Sequence, residues 1–382
     1  MFNRSVVIAG LTALGIAVGT ALPAAASVGT VPRSCAQPNG RVTSVVIDGS
    51  RTFIAGDFTS VRTPSGTSVN RQRLAAIHTA TCELLSWNPS ANASVEALQV
   101  VGTTVYAGGA FTSVSGAARN RLAAIDADTG QLLGFNPGMN KTVRTLAASA
   151  DRLFAGGDFT AVGTATRKKL AAFSLPSGSL VSNWKPAASG AVTTLAVSAD
   201  ASLVYVGGNF TSLAGSSNSP YLAAVRADDG SLEPGFRPRP GWPMIKVVAD
   251  SQGVYGGGGG SGGHLGIWNL DGSLQRPIYQ TDGGVQALVI DGGSLYAGGH
   301  FTNYCLGNTG SGSPFICTDP LPRRKLFEVS LSTGALTSWA PVLNSAHGVF
   351  SLQVDPGSGA LWVGGDFTKV GSKSVSKLAV FP

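Results

Sequence analysis

The side chains best suited to chemistry include three histidines in the second half of the chain. His264, His300 and His347 occur in neighbouring repeats, while His78 stands far from them. Imidazoles that converge with carboxylates can bind a metal ion or act as general bases. Together with nearby Asp they predict, as one alternative, a secreted hydrolase or lyase with its site at the mouth of a central channel, near the fifth and sixth repeats. No cluster of His or carboxylates at metal-ligand spacing occurs, so we predict no metal site.

Other catalytic signatures are missing. There is no serine nucleophile elbow, no Walker loop and no dinucleotide fingerprint, and the glycine-rich stretch 256–263 runs into a predicted strand instead of opening a helix. The chain has only four Glu, and no carboxylate pair suits glycoside hydrolysis. We therefore predict no cofactor and favour a binding protein over an enzyme.

An insertion in the sixth repeat, residues 303–317, is the clearest candidate for ligand binding. It contains Tyr304, and Arg323 and Arg324 follow it. A loop closed by a disulfide loses less entropy on binding and can grip a polar polymer. The alternative is a tolerated insertion, stapled against proteolysis. The predicted ligand-binding residues are Trp242, His264, His300, Tyr304, Arg323, Arg324 and His347.

A repeated motif must position these side chains. The pattern aromatic-x-Gly-Gly-x-Phe-Thr recurs, with one Ala substitution at Ala55, in residues 53–59, 106–112, 154–160, 205–211, 296–302 and 362–368. A degenerate copy begins at Tyr255. Each unit of about 50 residues reads as four short strands, the last ending in Trp or Phe, any residue, Pro. A motif present in almost every unit indicates scaffold: the aromatic fills the wedge between sheets, and the glycines permit close approach or a bulge.

This periodicity predicts an all-β chain, a seven-bladed β-propeller with four-stranded blades in one domain, residues 27–382. The last repeat stops after its third strand, and the segment near Cys35 aligns with the end of a fourth strand, so the N-terminal strand should complete the last blade. Length variation is almost wholly confined to the segments on one face. We expect any binding site on that long-loop face.

The motif resembles the delta-60-type propeller repeats of exported bacterial proteins. The resemblance rests on the Gly-Gly-Asp-Phe-Thr core, the following Leu-Ala-Ala and a Thr-Gly-x-Leu turn. It extends from about residue 33 to 382. The repeats are more distantly similar to those of fungal cortical markers and kelch propellers. The resemblance implies the fold and carries no catalytic residues.

A basic residue precedes the third strand in five repeats. These residues are Arg73, Arg121, Lys169, Lys325 and Lys377. They predict either a ring of positive charge for anionic ligands or ion pairs within each blade. Ion pairs are favoured, since the motif carboxylates Asp57, Asp158 and Asp366 accompany Arg73, Lys169 and Lys377.

The first 26 residues read as a signal peptide, with Arg4, an uncharged stretch and small residues up to Ala26. No later run is long enough to span a membrane. The four cysteines allow three connectivities; Cys305–Cys317 closes a short loop, and Cys35–Cys82 follows by elimination. We expect a secreted, extracellular or cell-wall-associated monomer.

The charge balance, 27 Lys and Arg against 20 Asp and Glu, suits an acidic partner. Basic runs with interleaved aromatic residues are missing, so nucleic acid is not expected. The predicted partner is a cell-wall polymer, a polysaccharide or an extracellular protein. A purely structural surface or adhesion component is a further alternative.

Overall fold

The computed structural model describes residues 28–218, 220–308 and 315–382. All regular structure in these residues is β-strand, and no helix in them could cross a membrane. The predicted signal peptide, residues 1–26, lies outside the described residues.

The strands are short and follow one another at close intervals. In chain order they are β1 (Gln37–Pro38), β2 (Val42–Asp48), β3 (Arg51–Gly56), β4 (Ser60–Arg62), β5 (Ser68–Asn70), β6 (Leu74–His78), β7 (Val95–Val101), β8 (Thr104–Gly109), β9 (Ser113–Val114), β10 (Ala117–Ala118), β11 (Leu122–Asp126), β12 (Val143–Ala148), β13 (Arg152–Gly157), β14 (Ala161–Val162), β15 (Ala165–Thr166), β16 (Leu170–Ser174), β17 (Ala191–Val197), β18 (Leu203–Asn209), β19 (Leu222–Arg226), β20 (Met244–Ala249), β21 (Val254–Gly258), β22 (Gly263–Trp268), β23 (Tyr279–Thr281), β24 (Val285–Asp291), β25 (Ser294–Gly299), β26 (Asn303–Asn308), β27 (Cys317–Pro322), β28 (Leu326–Ser330), β29 (Val349–Val354), β30 (Leu361–Gly365), β31 (Lys369–Val370), β32 (Lys373–Ser374) and β33 (Leu378–Phe381).

Each repeat forms an antiparallel sheet in which the second strand lies in the middle. In chain order these sheets, numbered 1 to 7, are β2-β3-β6, β7-β8-β11, β12-β13-β16, β17-β18-β19, β20-β21-β22, β24-β25-β28 and β29-β30-β33. The fifth sheet continues through β23 to the hairpin β26-β27, so the sixth-repeat insertion extends its neighbour. Small pairs such as β9-β10 and β14-β15 lie in the segments that join second and third strands.

The paired glycines are required by two close approaches, as predicted. A Cβ on Gly108 would lie 2.6 Å from Cγ1 of Val143 in the next sheet. A Cβ on Gly109 would overlap the main chain of Ser94, which leads into the first strand. In every one of these sheets the register shifts near the start of the first strand, as between Val95 and Ala97, which marks a β-bulge.

The leading aromatic of the motif is buried, and in five repeats it packs edge-on or tilted against the Trp or Phe that ends the same repeat. Phe53 and Trp87 have ring centroids 5.0 Å apart, and Phe154 and Trp184 lie at 5.2 Å. The clusters around them include residues of the following sheet, for example Val95 beside Phe53. These contacts are typical of aromatic pairs in cores. The motif is therefore scaffold.

The fourth segment of each repeat pairs more sparsely than predicted. Between the third strand and this segment an isolated bridge forms, such as Ile77 with Leu84 or Phe173 with Leu180. In the last sheet the N-terminal segment takes this place: Arg33 bridges Val380, and the Gly29 N–H donates to the Pro382 carbonyl at 2.7 Å.

The first strands lie side by side in chain order, and β29 also contacts β2. Both predicted disulfides are confirmed, Cys35–Cys82 and Cys305–Cys317. The first of these links the N-terminal segment to sheet 1.

Candidate functional site

The strand order gives the molecule two different faces. One face carries the segments between second and third strands and the residues that lead into each first strand; we call it the loop face. The other carries the tight turns after the first and third strands; we call it the turn face. The insertion hairpin β26-β27 belongs to the loop face, because it follows the second strand of sheet 6.

Charges are divided between these faces. Basic residues of the loop face are Arg41, Arg62, Arg71, Arg73, Arg119, Arg121, Lys141, Arg167, Lys168, Lys169, Arg239, Arg323, Arg324, Lys325, Lys369, Lys373 and Lys377. Its acidic residues are Asp57, Asp158, Asp282, Asp319 and Asp366. Acidic residues at or beside the turns of the turn face are Asp48, Glu83, Asp126, Asp128, Asp151, Asp200, Asp228, Asp229, Glu233, Asp250, Asp271, Asp291 and Asp355. The basic residues at or beside these turns are fewer than the acidic ones: Arg33, Arg51, Arg152, Lys185, Arg226, Arg237 and Arg276.

The predicted ion pairs form in one of three cases. Lys377 Nζ lies 2.7 Å from Asp366 Oδ1, as expected. The other two expectations are wrong. Asp57 pairs with Arg41, and Asp158 pairs with Arg144 at 2.7 Å. These arginines precede or begin the first strand, which flanks the second strand on the side opposite the third.

The basic residues before the third strand have a backbone role instead. Lys169 and Lys325 donate to the carbonyls of Asp158 and His300 at 2.9 and 2.8 Å. Both lysines have positive φ angles, of 76° and 80°. Their main-chain N–H groups bond the carbonyl of the motif Phe, for example Lys169 to Phe159 at 2.8 Å. The lysine side chains therefore stabilise the motif by hydrogen bonds to its main chain, next to the turn before the third strand.

Trp242, which precedes the first strand of sheet 5, lies against His264 of β22. Their rings stack with centroids 4.5 Å apart and 28° between planes. The indole nitrogen of Trp242 and Nδ1 of His264 are buried without a hydrogen-bond partner in the described residues. Burial lowers the pKa of His264, although a hydrogen bond with the Ser261 main chain opposes the shift. The pair fills space above the glycines of β21, since a Cβ on Gly258 would overlap the indole.

His300 and His347 have separate partners. Nε2 of His300 accepts the Gly284 N–H at 3.2 Å, and burial followed by nearby Lys325 lowers the His300 pKa. His347 is exposed and lies 2.6 Å from Asp366. In the part of the chain that the structure describes, no three His, Cys, Asp or Glu side chains are grouped to hold a metal. The predicted convergence of His264, His300 and His347 does not occur as such a group.

Tyr304 is half-buried against Phe327, at 6.1 Å between ring centroids, and burial raises the Tyr304 pKa. Arg323 bonds the carbonyls of Pro322 and Thr337 at 2.9 and 3.1 Å. The same pair of bonds is made by Arg71, Arg119 and Arg167 in other sheets. Arg323 is thus a repeated scaffold residue, and an alignment of the repeats shows an arginine at the same place, three positions before the third strand. Arg324 is exposed.

Residues from the first strands of all the sheets line a cavity of about 420 Å³, which we call the axial channel. Its lining is mostly polar, with side chains such as Thr43, Gln99, Thr193 and Gln353. Three charged residues line it, Glu96, Arg144 and Lys246. Sequence reasoning placed an alternative site at the mouth of a central channel but did not single out Lys246, because the first strands are the least conspicuous part of the repeat. The signal was present, since Lys246 stands where other repeats have Ser, Thr or Ala.

No protein-family model and no curated protein sequence matches this chain. Solved structures similar to it include the following two. The WD40 β-propeller domain of Doa1 is 12% identical at a TM-score of 0.59, covering 92% of this chain and 96% of that one. The computationally designed Ika8 protein is 12% identical at a TM-score of 0.55, covering 93% and 99%. At this identity the likeness establishes the fold, so the chain is an all-β protein with the β-propeller fold.

Proposed function

We propose that the protein is an exported binding module, a closed seven-bladed propeller whose loop face binds an anionic polymer of the cell wall or an acidic polysaccharide. The seven repeated sheets would be its blades, and the bridged fourth segments their outermost strands. Ring closure is supported by the contact of β29 with β2 and by the bridge between Arg33 and Val380. Two disulfides support an oxidising, extracellular location. On the basis of its repeated motif, we further propose that the chain is related to the delta-60-type propellers.

The observation that carries the proposal is the division of charge between the two faces. A surface on which one sign of charge dominates attracts a polymer of the opposite sign and raises its association rate. Several cations of the loop face, including Lys168, Arg324 and Lys369, are exposed. On the turn face, acidic residues would repel the same polymer. A polyanion should therefore bind on one side of the ring, with an affinity that falls as salt rises.

The test is binding of purified protein lacking residues 1–26 to lipoteichoic acid, polygalacturonate and neutral dextran, followed by calorimetry at several salt concentrations. Lys168→Gln, Arg324→Gln and Lys369→Gln together remove charge from the loop face. The matched control adds the same negative charge to exposed turn-face positions with Gln131→Glu, Ala199→Glu and Gln252→Glu.

We expect binding to at least one polyanion and none to dextran. The loop-face variant should bind roughly tenfold more weakly, since each surface charge contributes up to about 1 kcal/mol, while the control variant binds within about twofold of the parent. Equal losses in both variants, or no binding to any polyanion, would overturn the proposal.

A further inference from the structure

Lys246 interrupts a repeated set of hydrogen bonds between neighbouring first strands. At the equivalent position, just after the bulge, the other sheets carry Ser44, Ala97, Thr145, Thr194, Ala287 and Ser351. All four hydroxyls in this set accept a main-chain N–H from the next sheet, as Thr194 does from Val247 at 2.9 Å. An ammonium has no lone pair and cannot replace the hydroxyl. The lysine therefore does not serve this structural role.

We propose that Lys246 marks a binding site in the axial channel for a small hydroxylated organic acid. No ion pair or hydrogen bond from the Lys246 side chain to any described residue is present. Lys246 is half-buried. An ammonium without a partner in such a place has lost part of its hydration, and this desolvation cost is offset when a carboxylate binds to it. This site is distinct from the loop face and does not depend on polymer binding there.

The other charged groups of the channel are already engaged. Arg144 pairs with Asp158 at 2.7 Å, and Glu96 accepts a hydrogen bond from Ser94 at 3.1 Å. Burial is the cause that lowers the Lys246 pKa, and no carboxylate opposes it. Lys246 is thus the channel cation left for an external anion.

A second unsatisfied group specifies more of the ligand. Gln286, in the first strand of the next sheet, also lines the channel. Its side-chain oxygen Oε1 is buried and has no hydrogen-bond partner in the described residues. An acceptor of this kind calls for a hydroxyl or amine donor on the ligand. Together, the two groups fit a molecule that carries both a carboxylate and hydroxyls.

The channel has room for such a molecule. A cavity of about 420 Å³ falls within the range of small-molecule sites, about 300 to 1,000 Å³. Hydroxyl and amide side chains from several sheets, among them Thr43, Thr193 and Gln353, line the remaining wall. A sugar acid matches this size and polarity. It could arrive free or as the terminal unit of an acidic oligosaccharide.

The experiment measures glucuronate binding by calorimetry, with glucose and a uronate-terminated trisaccharide as comparison ligands. Wild type should bind glucuronate and not glucose. Binding of the trisaccharide as tightly as glucuronate would assign the site to chain ends, and its exclusion would assign it to the free acid. Reaction of Lys246 with acetic anhydride, followed by mass spectrometry, should slow when glucuronate is present.

Lys246→Thr is the main variant, because threonine restores the hydroxyl of the repeat and should accept the Leu288 N–H. It should unfold at the temperature of wild type or higher and bind glucuronate at least tenfold more weakly. Lys246→Met tests the charge alone and should lose the same affinity. Lys369→Gln, on the loop face, should leave glucuronate binding unchanged even where it weakens polymer binding. Unchanged glucuronate affinity in Lys246→Thr, or no glucuronate binding by wild type, would overturn the proposal.

Discussion

Trp242 stacks on His264 with ring centroids 4.5 Å apart, and its indole lies directly over the main chain of Gly258. The missing side chain at Gly258 therefore leaves room for the indole ring. The glycines of β21 lie in a strand that pairs with β22 in regular register.

Gly258→Ala should destabilise the fold. The added Cβ would overlap Cδ1 of Trp242 and approach its Nε1 to 2.7 Å, both parts of a rigid ring. Overpacking of this kind costs about 1 to 3 kcal/mol. Urea unfolding should show this loss, whereas Gly241→Ala, whose Cβ would meet nothing within 4 Å, serves as the control. Equal stability of the two variants would contradict the packing argument.

Arg323 and Arg324 should separate structure from binding. Arg323→Met removes hydrogen bonds to the Pro322 and Thr337 carbonyls and should lower the free energy of unfolding by about 1 to 3 kcal/mol. Polymer binding at a temperature where the variant is folded should change little. Arg324→Met should do the reverse, because that side chain is exposed. Thermal unfolding measures the stability of both variants, and polyanion titration measures their binding. A binding loss in Arg323→Met with a stability loss in Arg324→Met would contradict these assignments.

Asp366 should contribute a pH-dependent part of the stability. Burial would raise its pKa, but the hydrogen bonds from Lys377 and His347 outweigh burial and hold the pKa below its ordinary value of 3.8. A carboxyl with a lowered pKa stabilises the fold above its unfolded-state value, and this stabilisation is lost as pH falls through the folded-state pKa.

The variant Asp366→Asn should therefore be less stable than wild type near neutral pH, with a difference that shrinks below about pH 4. Urea unfolding at a series of pH values measures the difference directly. A gap between the two proteins that stays constant down to pH 2 would show that Asp366 acts through packing alone.

The two disulfides should differ in what they stabilise. Chain-entropy estimates give about 4 kcal/mol for a loop of the length between Cys35 and Cys82, and about 3 kcal/mol for the loop between Cys305 and Cys317. Cys35→Ser with Cys82→Ser releases the segment that completes sheet 7, so the unfolding temperature of the whole protein should fall. Cys305→Ser with Cys317→Ser should loosen β26-β27, seen as faster hydrogen exchange there, and affect global unfolding less.

Features imposed by sterics in every repeat could be predicted from the sequence. The glycines beside Val143 and Ser94 and the aromatic pair Phe53 and Trp87 are examples, since the same close approach selects the same residue types each time. Charged partners could not be predicted this way. The carboxylate of Asp158 lies in the segment after a central strand, with a basic residue available on each side, and sequence distance does not say which side it takes.

The candidate site also has parts that sequence could predict and parts that it could not. The loop face could be predicted, because it follows from strand order. The role of Arg323 was hidden because its partners are main-chain carbonyls, which sequence does not display. Lys246 was visible only by comparing first strands position by position, where a cation replaces a hydroxyl.

The pairing of residues 28–36 with the last strand, Leu378–Phe381, also determines when sheet 7 can fold during synthesis of the chain. The N-terminal segment, residues 28–36, is synthesised first. It stays unpaired until the strand Leu378–Phe381 has been made. Folding of sheet 7 can therefore finish only after the strand Leu378–Phe381 has been synthesised, and until then the sheet offers an open edge to chaperones or proteases.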